Sequence, residues 1–114
     1  MLDGASLGRA VEAVAAVREA VGDSVDMLIE CHGRFNAKSA ARAAETLRPY
    51  GIYFMEGTVH PEDLEGLARF GSAAPVPVAL GERVANEGQL LQYIKYVDYI
   101  QVNLKRFGGP TEAR

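Results

Sequence analysis

Three glutamates, Glu30, Glu56 and Glu82, recur at equal intervals, and each closes a short apolar run. Met27-Leu28-Ile29 precedes the first and Ile52-Tyr53-Phe54-Met55 the second; Val76-Pro77-Val78-Ala79-Leu80 precedes the third by one glycine. If these runs are neighbouring parallel strands of a (β/α) barrel, their C-terminal ends converge on one mouth and the carboxylates share a site. Three carboxylates brought together repel strongly unless a cation lies between them. A hard divalent ion meets that need, and Mg²⁺ takes a few carboxylates with water or substrate completing an octahedron. The alternative is that each glutamate caps a loop or pairs with a nearby Lys or Arg. Any βα repeat gives such an interval, so the repeated residue type at strand ends carries more of the argument than the spacing.

Other polar residues flank these positions. Arg34 and Arg83 can orient a substrate through charge-assisted hydrogen bonds, or balance a ligand carboxylate. His60, just before Pro61, falls on the loop over the mouth, as a substrate contact or as a plain helix-entry residue. Cys31 alternates away from Glu30 and His32, which predicts a core position. Gly108-Gly109 predicts a tight turn.

The elements that must place these groups follow from periodicity. Leu7, Val11, Val14 and Val21 predict a helix over 7–21, stopped at Gly22-Asp23. Asn36 predicts the cap of a helix through Ala40, Ala41, Ala44 and Leu47, closing at Pro49-Tyr50-Gly51. Pro61-Glu62-Asp63 opens a third helix through Leu64, Leu67 and Ala68. A fourth covers 87–96 with Leu90, Leu91 and Ile94 inward, and 97–103 forms a last strand. The order α-β-α-β-α-β-α-β, with short, nearly all-apolar strands, indicates an α/β fold of about four parallel strands alternating with helices.

Composition narrows the function. The 114 residues are 48% hydrophobic and 24% charged, which suits one small globular domain. A net charge of −3 gives no basic footprint for nucleic acid or a membrane surface. One cysteine excludes an internal disulfide, and no apolar run nears the roughly 20 residues needed to span a bilayer. The expected compartment is the cytoplasm.

The segments Leu28-Ile29-Glu30-Cys31-His32-Gly33-Arg34-Phe35, Phe54-Met55-Glu56, Pro77-Val78-Ala79-Leu80-Gly81-Glu82-Arg83 and Gly108-Gly109-Pro110-Thr111-Glu112 resemble, in this order, the enolase superfamily. More narrowly they resemble its mandelate racemase branch and the acid-sugar dehydratases of the galactonate type. The resemblance implies a partial TIM-type barrel, residues 1–114 supplying about strands three to six, with the capping domain and the other strands absent. It implies a Mg²⁺ site of Glu30, Glu56 and Glu82, and abstraction of a proton next to a carboxylate to give a metal-stabilised enediolate. His32 takes the position of the general acid for the departing hydroxyl, and the substrate is a sugar acid. Asn103 stands where the family carries an aspartate that orients a histidine base; asparagine accepts a hydrogen bond but cannot stabilise imidazolium by charge. Two further departures are Glu30, where the family usually has aspartate, and Gly57-Thr58, where a second glutamate and a proline are common.

A full barrel runs to about 250 residues. The expectation is therefore a fragment or truncated reading frame that self-associates through exposed barrel edges. The alternatives to a dehydratase are a non-catalytic half-barrel or a racemase of the same superfamily.

Overall fold

Each helix begins where a short polar side chain satisfies a backbone N–H that the first turn leaves without a partner. In the computed structural model, which describes residues 2–111 and 113, Asp3 accepts from Ser6 N at 2.7 Å and starts α1 (Gly4–Val21). Asn36 accepts from Ser39 N at 2.9 Å and starts α2 (Ala37–Leu47), as predicted. Asp63 opens α3 (Leu64–Gly71) and Asn86 opens α4 (Glu87–Tyr93). Between the helices lie β1 (Met27–Glu30), β2 (Ile52–Glu56), β3 (Val78–Leu80) and β4 (Tyr99–Ile100).

The strands form one parallel sheet in the order β1-β2-β3-β4. Each strand therefore pairs with its sequence neighbour through a helical crossover, which is the winding of a (β/α) barrel arc. Alternation sorts the side chains. Met27 and Cys31 are buried against α1 and α2 with Leu7, Val14, Ala40, Ala44 and Leu47. The alanines of α2 let its backbone lie close to the sheet. Leu28 and Tyr53 remain 48% and 43% exposed, while Tyr53, Phe54 and Tyr99 pack ring to ring. One face of the sheet is thus covered by helices, and the other presents aromatic and aliphatic side chains.

Several boundaries differ from the sequence expectation. Helix α1 starts three residues before Leu7 because Asp3 caps it, and Val21 is exposed because the buried stripe ends at Val14. The fourth helix ends at Tyr93 and continues as a 3₁₀ turn, Ile94–Tyr96. The inward face of α4 is also different from the one expected, with Leu90 partly buried in it. Leu91 and Ile94 are exposed, and Tyr93 takes the core position beside Leu67, Leu80 and Val84. Of the segment 97–103, only Tyr99–Ile100 is strand. Gly108 and Gly109 lie in a turn at positive φ, as predicted, whereas Glu112 lies outside the described residues. No described helix is long and apolar enough to cross a membrane.

Candidate metal centre and its surroundings

The ladder does not stop where the strands formally end, and this is what fixes the candidate residues. Cys31 N donates to Glu56 O at 2.9 Å, Gly57 N to Ala79 O at 3.0 Å, and Gln101 N to Leu80 O at 3.0 Å. Glu30 and Glu56 are direct partners in the β1–β2 register, and Glu56 pairs with Ala79 across the next seam. Glu82 follows β3 with Gly81 between them. The three sequence-predicted carboxylates, with His32 and Arg83, line one cleft at the C-terminal ends of β1, β2 and β3. About 20 Å³ lies open between them, room for one body the size of a water molecule.

His32 reaches this cleft by an unexpected route. Its φ is +56°, the one described non-glycine residue in the left-handed region, so the chain reverses directly after Cys31. The reversal lets His32 N donate to Glu30 Oε1 and sets its Nδ1 3.8 Å from Glu30 Oε1 and 3.9 Å from Glu82 Oε2. Glu30, His32 and Glu82 can each offer an atom to a common point, the three atoms lying within 4.8 Å of one another. Glu56 stands slightly apart, and its Oε2 accepts from the side-chain amide of Gln101.

The electrostatics register the crowding. Burial raises the Glu56 carboxyl above its ordinary pKa, and the negative charges of Glu30 and Glu82 raise it further. Among the described residues no Lys or Arg is ion-paired with any of the three. Cys31, buried beside Glu30, has its thiol pushed up to about 12 by burial first and by that carboxylate second. A thiol held protonated in this way is a core residue and no nucleophile.

Glu30 and Gly57 touch each other across the first seam. Gly57 has φ +56°, and a Cβ placed there would come within 2.9 Å of Glu30 Oε1. The absence of a side chain at 57 leaves the space into which the longer acid at 30 extends. Gly81 serves the same tip differently: a Cβ there would meet the backbone of Gln101 at 2.5 Å, so a glycine is what lets β3 and β4 run on together.

The remaining candidates disperse. Arg83 lines the cleft, but its Nη1 lies 3.0 Å from His60 Nε2. A guanidinium only donates, so His60 Nε2 is the acceptor in this contact. Arg34 is exposed and lines a different, mostly apolar hollow between α1 and α2 on the far side of the β1 tip. Asn103 is not among the cleft residues; its Oδ1 accepts from Lys105 N at 3.1 Å and Arg106 N at 3.4 Å, which closes a local turn. Gln101 was missed by the sequence reading. The signal was its position two residues after Tyr99, on the same side of the last strand as the cleft.

The chain matches the family described as enolase C-terminal domain-like over residues 2–114. It is 50% identical to a D-gluconate dehydratase of Thermoproteus tenax over 107 residues, which cover 92% of this chain and 22% of that protein. A D-gluconate/D-galactonate dehydratase of Picrophilus torridus is 40% identical, with 93% of this chain and 28% of that protein covered. Among solved structures, a putative dehydratase from Zymomonas mobilis superposes with a TM-score of 0.92 at 32% identity, over 98% of this chain and 29% of that one. A racemase from Streptomyces coelicolor with bound magnesium superposes with a TM-score of 0.91 at 26% identity, over 95% and 31%. The chain thus spans about a quarter of the length of the curated relatives it matches.

Proposed function

We propose, from the premise that this chain belongs to the enolase C-terminal domain-like family, that it is the central part of a Mg²⁺-dependent acid-sugar dehydratase, corresponding to about strands three to six of the barrel. The observation that carries this reading is the meeting of three carboxylates from successive strand ends, with a raised Glu56 pKa and no Lys or Arg ion-paired to any of them among the described residues. An all-oxygen donor set of this charge fits a hard divalent ion, with Glu30, Glu56 and Glu82 holding it. When bound, Mg²⁺ would supply Lewis-acid charge opposite a substrate carboxylate, favouring loss of the adjacent proton.

The chain's own residues supply the rest of this half of the site. His32 stands between Glu30 and Glu82, its Nδ1 3.8 Å from the one carboxylate and 3.9 Å from the other. A protonated imidazole there can give its proton to a hydroxyl leaving the substrate, which departs poorly as hydroxide. Gln101 fixes the carboxylate plane of Glu56 through its amide. Gly57 gives Glu30 its place. The proton-abstracting base belongs, in this reading, to barrel strands outside these four, since Asn103 is engaged in its own turn. Small sugar acids are the expected substrates, as the relatives' names indicate. A leaving-group donor at His32 favours dehydration over racemisation, which releases no hydroxide.

Calorimetric titration with Mg²⁺ tests the donor set. Glu56→Gln is expected to weaken binding at least about 10-fold, while His32→Asn leaves it within a few-fold because an oxygen set does not use the imidazole. Equal Mg²⁺ affinity before and after Glu56→Gln removes the reading. A loss confined to His32→Asn points instead to the Glu30–His32–Glu82 group and to a metal that prefers nitrogen.

A further inference from the structure

Behind the Arg83–Pro61 wall of the carboxylate cleft lies a second, solvent-open hollow of about 240 Å³, bounded by His60, Glu62, Gln89, Tyr93 and Arg106. Its chemistry is opposite to that of the cleft. Arg83 and Arg106 bring two permanent positive charges, against one carboxylate, Glu62, whose side chain is 90% exposed to solvent. Elsewhere in the molecule Arg48 and Arg69 each have a glutamate partner, on Glu45 and Glu65; among the described residues neither Arg83 nor Arg106 has one.

The neutral groups at this hollow also present donors. Gln89 spends its side-chain carbonyl on Ala85 N at 2.9 Å, which leaves its NH₂ group to donate. Tyr93 is buried in its ring, and burial together with the Glu62 charge raises the phenol pKa, keeping the hydroxyl a donor at neutral pH. His60 turns its acceptor nitrogen to Arg83, so it takes up one Arg83 donor and leaves the others. A guanidinium fork offers five donors and no acceptor, and two forks with a hydroxyl and an amide match a group that only accepts.

We propose that this hollow is an oxyanion-binding subsite, taking the phosphate or carboxylate group of a small molecule. Its volume is below the range typical of drug-sized ligand pockets and suits a small anion or one end of a longer molecule. The shared wall at Arg83 allows two sources for that group. It is either a free anion, or the far end of a doubly anionic sugar acid whose near carboxylate occupies the metal cleft.

Inorganic phosphate is the probe, titrated into the whole chain at constant ionic strength against chloride, with amide chemical shifts and calorimetry as readouts. Saturable binding is expected, with shifts confined to residues 60, 62, 83, 89, 93 and 106. Arg106→Gln should weaken it at least about 10-fold, Arg106→Lys less, because a lysine keeps the charge but loses the fork. Tyr93→Phe should cost a few-fold. Circular dichroism of both Arg106 variants separates a lost site from a lost fold. Binding that does not saturate, shifts spread over the surface, or an unchanged affinity in Arg106→Gln each overturn the proposal. Phosphate is added without Mg²⁺, so failure of the metal site leaves this result intact. A 6-phospho sugar acid compared with its unphosphorylated form in the presence of Mg²⁺ then identifies the source. Tighter binding of the phosphorylated form than of either phosphate or the plain acid indicates the far end of one molecule, and affinity equal to that of phosphate indicates a free anion.

Discussion

At the end of the sheet where the strands begin, a single arginine gathers the chain. Arg18 donates from Nη1 to Gly22 O and Val25 O, both at 2.7 Å, from Nε to Tyr50 O at 2.9 Å, and from Nη2 to Gly51 O at 3.0 Å. One cation thereby ties the turn before β1 to the turn before β2. At the other end, three acids from three strand tips crowd together with His32 and Gln101 against them, and no Lys or Arg among the described residues is ion-paired to them. The first arrangement satisfies every group it brings in and fixes the backbone. The second leaves like charges facing one another, at a cost to the folded state that a bound cation would remove. A residue that mends the lower end strengthens the fold, whereas one that mends the upper end by neutralising it destroys the site.

Substitutions can break this contrast at either end. The largest effect is expected from Arg18→Ala, which should destabilise the chain by roughly 2 kcal/mol in urea denaturation, since charge-assisted bonds to several carbonyls are lost together. A change near zero would mean those carbonyls are equally well served by water. Next, Gly57→Ala should cost about 1 kcal/mol for the left-handed backbone alone, and it should also drive Glu30 Oε1 from its place. Combining it with Glu30→Asp, which withdraws the carboxylate by one methylene, should recover part of the loss; strictly additive losses in the double-mutant cycle would show that the contact is unimportant.

Smaller and opposite in sign is Glu56→Gln. Removing one of three crowded charges should raise stability at neutral pH by less than about 1 kcal/mol, discounted for the solvent that screens a half-buried group. The pH profile sharpens the point. The folded-state pKa of Glu56 lies above its unfolded value, so the folded chain holds that proton more tightly. Stability therefore falls as pH rises from the ordinary carboxylate range through the folded pKa, and acidification across that window restores it. Thermal melts should show this slope in the parent chain without divalent ions and lose it in Glu56→Gln.

The parts of this molecule set by local chemistry could be read from the residues. Asn36 capped the helix expected of it, Gly22 stopped α1, and the apolar runs became parallel strands in the expected order. The meeting of Glu30, Glu56 and Glu82 also followed from strand alternation and barrel geometry. Features that depend on tertiary placement stayed hidden. Leu91 and Ile94 fit a helical stripe, but α4 turns Leu90 and Tyr93 to the core instead. His32 reaches the acids through a positive φ that its residue type allows and does not announce. Asn103 occupies a site position in the motif, yet its short amide satisfies the nearest free N–H groups instead. The Arg83–His60 contact joins two loops whose separation in sequence gives no hint of their meeting.

The pairing of Glu30 with the vacant flank of Gly57 also constrains how this sequence can change over time. A glycine at 57 leaves the end of Glu30 where it lies, and any side chain at 57 has to push that carboxylate aside. A change at either position is thus felt at the other, and the carboxylate cleft inherits both.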